Sequence, residues 1–186
     1  MLSIDERHKI ISLIKQEVTP AIGCTEPIAV ALAVSKVTEL LGGVPDKMDV
    51  WLSANVLKNA MGVGIPGTGM VGLPIAIAMG ALVGKPEYGL EVLKDVSPDA
   101  LEAGKRFIDQ KIAAIHLKED VAEKLFIEVV GVRGSERARV IISRDHTRFS
   151  HVEKNGDVLV HLDYVMSLAA MDDVLDLSFD KVCDFA

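Results

Sequence analysis

One stretch constrains the fold more than any other: residues 20–27, PAIGCTEP, form a proline-bounded turn between two apolar segments. Residues 4–18 before it have helical spacing, and residues 27–41 after it are apolar on nearly every side. Pro27 suits the first turn of a helix, where its missing N–H has no partner to lose, and Thr25 is placed to cap that helix. The stretch predicts a tight turn between two helices, the second of them buried.

Cys24 lies in that turn, directly before the predicted helix. The positive end of a helix dipole favours a thiolate, the form of cysteine that attacks electrophiles and binds metals. The simpler alternative is a small buried thiol without chemistry. Cys183 is the second of two cysteines, which make no disulfide framework, so we expect a reducing, cytoplasmic location.

The net charge and the length of the chain limit which kinds of protein the sequence can encode. The chain has 186 residues and a formal net charge of −7, and this acidic balance argues against nucleic acid or an anionic membrane as partner. No apolar run is long enough for a transmembrane helix, and the N-terminus lacks the order of a signal peptide. The length predicts a single domain over residues 1–186, with a sizeable core.

The spacing of apolar residues changes character along the chain. Beyond residue 41 it predicts a strand at 48–53, a short helix or turn at 55–60, and helices at 74–83, 87–94, 98–111 and 163–186. Runs rich in β-branched residues, separated by turn signals, predict further strands at 112–117, 125–132, 138–143, 149–153 and 158–161. Helices followed by clustered strands predict an α+β fold with buried small-residue helices and an antiparallel sheet formed mainly by residues 112–161.

A second unusual stretch, residues 62–72, contains five glycines and no charge. Gly67, Thr68 and Gly69 precede a predicted helix, so their backbone N–H groups could hold an anion such as a carboxylate. The alternative is glycine used for close helix packing. A dinucleotide fingerprint fits the spacing, but a predicted helix precedes it where a strand is required, so we predict no nucleotide site.

Other residues with possible chemistry lie elsewhere. His146 and His151 flank the start of a predicted strand, and histidine is a common acid–base group near neutral pH. The alternative for each is a surface or core histidine without chemistry. Lys58 and Asn59 lie beside the glycine-rich stretch, where they either cap a helix or point into a site.

Three motifs, in this order along the chain, resemble those of the L-cysteine desulfidase family, which is related to the alpha chain of the iron–sulfur L-serine dehydratases. They are residues 20–27, residues 53–59 (SANVLKN) and residues 65–74 (IPGTGMVGLP). Residues 89–95 and the two histidines are also similar to that family. Because family members are usually more than twice as long, the chain resembles the N-terminal portion of such an enzyme.

The resemblance implies β-elimination from L-cysteine or L-serine, giving pyruvate and ammonia with sulfide or water. It also implies a [4Fe–4S] cluster in the complete enzyme, with Cys24 as one ligand. We expect this chain alone to hold no cluster and to be inactive. The implied partners are a small amino-acid substrate, a C-terminal half or second subunit, and further copies in a homo-oligomer.

A base must remove the α-proton of such a substrate, and the candidates are His146, His151 and Lys58, in no order. The expected substrate-binding residues are Asn55, Lys58, Asn59, Gly67, Thr68 and Gly69. Two alternatives stay open. One is a non-catalytic fragment that binds a ligand or a partner chain, and the other is an enzyme that uses Cys24 as a nucleophile.

Overall fold

The computed structural model describes residues 2–18, 20–162 and 178–185. The chain divides into two compact units, residues 1–20 with 164–186, and residues 21–163. The single domain over residues 1–186 stays a prediction. The larger unit contains the sheet and most of the helices.

In the smaller unit, helix α1 (Ile4–Glu17) begins with a reciprocal cap. The Ser3 hydroxyl accepts from the Glu6 N–H at 3.2 Å, while the Glu6 carboxylate accepts from the Ser3 N–H at 2.9 Å. These bonds, with Lys181 of helix α6 (Phe179–Phe185), lower the pKa of Glu6 to about 2. The helix predicted at 163–186 lies outside the described residues between 163 and 177, and residues 179–185 are helical.

The larger unit is organised around a six-stranded sheet in the order β2-β1-β3-β4-β5-β6. Its strands are β1 (Lys47–Leu52), β2 (Ala113–Leu117), β3 (Phe126–Arg133), β4 (Glu136–Ser143), β5 (Phe149–Lys154) and β6 (Asp157–His161). Strand β1 pairs parallel with β2, and the other neighbouring pairs are antiparallel. The predicted α+β fold is therefore confirmed, with β1 inserted between two later strands.

Four α-helices accompany the sheet: α2 (Thr25–Leu41), α3 (Ala54–Ala60), α4 (Leu73–Leu82) and α5 (Pro98–Asp109). A 3-10 helix at Pro86–Glu91 occupies part of the helix predicted at 87–94. Helix α2 packs between strands β3 and β4 on one side and α4 on the other. This position explains why α2 is apolar on nearly every side and buried along most of its length.

Alternation along the strands separates an apolar face from a polar one. On β3, Ile127 and Val129 are fully buried, and they lie on the face that packs against α2. Glu128 points to the opposite face, where its carboxylate bonds Lys118 and Arg139. The two faces thus have different chemistry.

Among the described residues, we find no helix with the length and apolar character needed to cross a membrane.

Candidate functional site

The turn before α2 is held against the glycine-rich stretch. Gly23 has a φ of 88°, and a Cβ at this position would lie 2.7 Å from Cγ of Pro66. Cys24 is the N-cap residue of α2 and makes no side-chain cap bond. The expectation that Thr25 caps this helix is wrong, because the helix begins at Thr25 and its hydroxyl donates to Glu26 Oε2 at 3.3 Å.

Glu26, in the first turn of α2, connects the turn to α3. Its Oε2 accepts a hydrogen bond from the Cys24 thiol, with 3.1 Å between Sγ and Oε2. Its Oε1 accepts from the side-chain amide of Asn59, also at 3.1 Å. Both oxygens of the carboxylate are therefore bonded: Oε2 accepts from the Cys24 thiol and the Thr25 hydroxyl, and Oε1 accepts from the Asn59 amide.

The charges at this site follow from those contacts. The hydrogen bond from Cys24 lowers the pKa of Glu26, and Asn59 and the nearby charge of His146 act in the same direction against burial. Burial and the bond to Glu26 raise the pKa of Cys24. The structure therefore does not favour the expected thiolate at Cys24, because these two effects outweigh the backbone hydrogen bonds from residues 25 and 26 that lower the pKa of the thiol.

The glycine-rich loop folds back on itself. Ile65 N–H donates to Met70 O, and Gly72 N–H donates to Val63 O, each at 2.9 Å. The hydroxyl of Thr68, which is 6% exposed, donates to Ile65 O at 2.7 Å and accepts from Met70 N–H at 3.0 Å. The Thr68 hydroxyl is thus used inside the loop.

Two glycines in this loop are there for their backbone conformation. Gly67 and Gly69 have φ values of 75° and 64°, which residues with a Cβ rarely adopt. A Cβ on Gly69 would meet nothing within 4 Å, so this glycine is not a device for close helix packing. A role of these residues and Thr68 in holding a substrate carboxylate stays a prediction.

Two further segments reach the same place. Ile22 N–H donates to Leu90 O at 3.2 Å, which connects the turn to residues 89–95. A Cβ on Gly89 would lie 4.0 Å from Cγ2 of Thr147, next to His146 in the chain. The motifs recognised separately in the sequence therefore converge around the start of α2.

The other predicted site residues are distributed over the unit. Asn55 and Lys58 are exposed on α3, and Asn55 lines a separate cleft of about 370 Å³ with residues 117–119 and 121–124. His151 lies on β5, on the face opposite the buried Val152. The structure thus places Asn59 and His146 near the Cys24–Glu26 contact. It places Asn55 and His151 away from that contact.

Sequence reasoning missed Glu26 as a site residue. The signal was present, because an acidic residue two positions after a cysteine falls in the first turn of the predicted helix. At that position a carboxylate is stabilised by the helix dipole and can bend back to the residue at the N-cap.

Among the described residues, no group of three or more His, Cys, Asp or Glu side chains could hold a metal ion. A [4Fe–4S] cluster held by three cysteines does not fit the donors present, because the chain has two cysteines, Cys24 and Cys183. The role of Cys24 as a metal ligand in a complete enzyme stays a prediction.

Comparison with known proteins found relatives over nearly the whole chain. The chain is 58% identical to a UPF0597 protein of Bacteroides fragilis, over 97% of this chain and 42% of the relative. Identity is 56% to a UPF0597 protein of Bacteroides thetaiotaomicron and 46% to one of Porphyromonas gingivalis, over 97% of this chain and 42% and 43% of the relatives. No family model and no solved structure matches the chain.

These relatives correct the family expectation. The prediction of an L-cysteine desulfidase or iron–sulfur serine dehydratase fragment is wrong, because proteins matching 97% of the chain carry the name UPF0597. The names of these relatives give no support to the labels lyase, iron–sulfur protein and serine dehydratase alpha chain. These labels are therefore corrected together with the family. The resemblance rested on short motifs, which are local features and cover far less sequence than these matches.

Proposed function

We propose that Cys24 and Glu26 form the acid–base centre of an enzyme that acts on a small L-amino acid. The proposed reaction is β-elimination from L-cysteine or L-serine, which gives pyruvate and ammonia, with sulfide or water as the other product. The chain spans 42% of the length of the B. fragilis relative. The reaction is therefore assigned to the complete protein, to which this chain contributes the acid–base pair.

One observation carries the proposal: the Cys24 thiol donates to the Glu26 carboxylate, with 3.1 Å between Sγ and Oε2. The pKa of Glu26 is lowered and the pKa of Cys24 is raised, so one group accepts a proton while the other has one to donate. Elimination needs both, because a proton leaves Cα while the group on Cβ departs.

The steps balance with these two groups alone. The Cα–H bond breaks, and its proton passes to the Glu26 carboxylate. The electron pair left on Cα forms the Cα=Cβ double bond, and the bond from Cβ to sulfur or oxygen breaks with its electrons on the leaving atom. The Cys24 thiol protonates that leaving group, and Glu26 then returns its proton to the Cys24 thiolate. The aminoacrylate takes up water and gives pyruvate and ammonia.

Substrate entry would also adjust the strength of the base. The bond from Cys24 is the largest cause of the lowered pKa of Glu26. When the thiol turns toward the leaving group, that bond is lost and the carboxylate becomes a stronger base. Proton transfer is thereby favoured once a substrate is present.

The remaining groups around the pair have proposed binding roles. Asn59 fixes the carboxylate from α3, and Lys58 is exposed on the same short helix. Lys58 and the backbone of Gly67 and Gly69 are the proposed contacts of the substrate carboxylate. His146 lies close enough for its protonated ring to lower the pKa of Glu26, and in its neutral form it is kept as a second candidate base.

We propose that the complete protein is cytoplasmic and forms a homo-oligomer. The remaining part of the protein lies on the same polypeptide or on a second subunit. The free thiols of Cys24 and Cys183 support a reducing compartment.

A second candidate is an enzyme that uses Cys24 as a nucleophile. It is favoured by the same contact, since Glu26 could take the proton of the attacking thiol. A covalent adduct on Cys24 after incubation with L-cysteine or L-serine would favour this candidate, and pyruvate released without an adduct would favour elimination.

The test is pyruvate release by the complete protein from L-cysteine and from L-serine, with Cys24→Ser and Cys183→Ser as matched cysteine variants. Cys24→Ser should abolish release, because a hydroxyl is a far weaker acid than a thiol. Cys183→Ser should leave it unchanged. No release by the wild-type protein from either amino acid, or normal release by Cys24→Ser, would overturn the proposal.

A further inference from the structure

Two histidines face each other at the edge of the sheet, away from the Cys24 site. His151 on β5 is the register partner of His161 on β6, the last strand of the sheet. Their Nδ1 atoms are 3.3 Å apart, and the two rings lie nearly perpendicular, with an interplanar angle of 83°. The antiparallel register therefore directs two nitrogen atoms toward the same point.

A carboxylate determines which nitrogen of His151 carries the proton. Nε2 of His151 lies 3.2 Å from Oε2 of Glu153. A carboxylate only accepts hydrogen bonds, so Nε2 is the donor, and in the neutral ring Nδ1 then keeps its lone pair. Glu153 also pairs with Arg137 at 3.3 Å, which fixes the carboxylate in place.

We propose that His151 and His161 bind a zinc ion through their Nδ1 atoms, with Glu153 orienting His151. Zinc–nitrogen bonds are about 2.0–2.1 Å long, so tetrahedral geometry places two nitrogen ligands about 3.3–3.4 Å apart. The observed 3.3 Å between the two Nδ1 atoms equals that separation. Binding then needs the two rings to tilt until both lone pairs point at the ion, and the proton between the rings moves to Nε2 of His161. A hydrogen bond from the second ring nitrogen to a carboxylate is the usual support of a zinc-binding histidine.

This site has two protein donors, and water completes the coordination. It is consistent with the absence of a group of three donors able to hold a metal ion among the described residues. His151 is mostly buried, with 13% of its side chain exposed, whereas His161 is exposed. The ion therefore has a path from solvent. The inference is independent of the proposed elimination reaction.

The experiment is zinc titration by calorimetry on the complete chain, in a Cys24→Ser/Cys183→Ser background that removes the competing thiols. We expect about one zinc ion per chain. His151→Ala and His161→Ala should each weaken binding at least about tenfold, and Glu153→Gln should weaken it about tenfold. His116→Ala is the matched control, because His116 bonds Asp49 and stacks on Trp51, and it should leave the affinity unchanged.

Nitrogen NMR of the histidine rings checks the same site without altering a ligand. Zinc should shift the Nδ1 signals of His151 and His161 and leave those of His116 in place. Unchanged affinity in both His151→Ala and His161→Ala, or zinc-induced shifts confined to other histidines, would overturn the proposal.

Discussion

The thiol of Cys24 donates to the carboxylate of Glu26 across 3.1 Å, from the N-cap of α2 to its first turn. The contact keeps the proton on sulfur, since burial and the neighbouring carboxylate both raise the pKa of Cys24. A cysteine at a helix N-terminus commonly has a lowered pKa, and here burial together with the Glu26 carboxylate reverses that effect.

Glu26→Gln should make Cys24 more reactive. Removing the negative charge removes one cause of the raised pKa, so the pKa of Cys24 falls and more thiolate is present at neutral pH. The measurement is the rate of iodoacetamide alkylation of Cys24 between pH 6 and 10. Glu102→Gln, a surface change on α5, is the control. An alkylation profile identical to that of the wild type would contradict the assigned effect of Glu26.

Glu128→Gln should destabilise the sheet in a pH-dependent way. Burial raises the pKa of Glu128, but its bonds to Lys118 at 3.0 Å and Arg139 at 2.7 Å outweigh burial, and the pKa is lowered overall. A carboxyl group whose pKa is lower in the folded state stabilises the fold above its unfolded pKa and loses that effect as the pH falls. We expect a loss of about 1–3 kcal/mol in the free energy of unfolding at pH 7.

Urea unfolding at pH 7 and near pH 3 checks this sign. The difference between Glu128→Gln and the wild type should shrink at the lower pH, because a protonated glutamate resembles glutamine. A difference that grows on acidification would show that the ion pairs are not its cause.

Gly80→Ala should destabilise the contact between α2 and α4. A Cβ on Gly80 would lie 2.6 Å from the backbone oxygen of Ala31, and backbone cannot move aside as a flexible side chain can. We expect a loss of about 1–3 kcal/mol, as for other overpacked cores. Gly62→Ala is the matched control, since a Cβ there meets nothing within 4 Å. Chemical unfolding of the two variants measures the difference, and equal stabilities would contradict the close packing.

The local sequence pattern was enough to predict the strands of the sheet. The strand expected at 125–132 is found at Phe126–Arg133, because alternation and β-branching act within one segment. The position of β1 between β2 and β3 was not predictable, since pairing between Val50 and Ile115 depends on contacts far apart in the sequence.

The site was predictable in part. The motifs around Cys24 and Asn59 identified segments that do meet. The protonation of the thiol could not be read from the sequence, because it depends on burial and on the rotamer of Glu26. The sequence analysis grouped His151 with His146, which lies five residues earlier. In the structure His151 lies on β5, on the face of the sheet opposite the buried Val152.

If the Cys24–Glu26 pair carries out elimination, pyruvate formation from L-cysteine by the complete protein depends on Glu26 and is measured with Glu26→Gln. A glutamine side chain cannot accept the α-proton, so the rate should fall by at least about 100-fold, the usual contribution of a general base. Glu102→Gln should keep the wild-type rate, and the urea midpoint of Glu26→Gln should show that the variant is folded. Wild-type pyruvate formation by the folded Glu26→Gln protein would contradict the account.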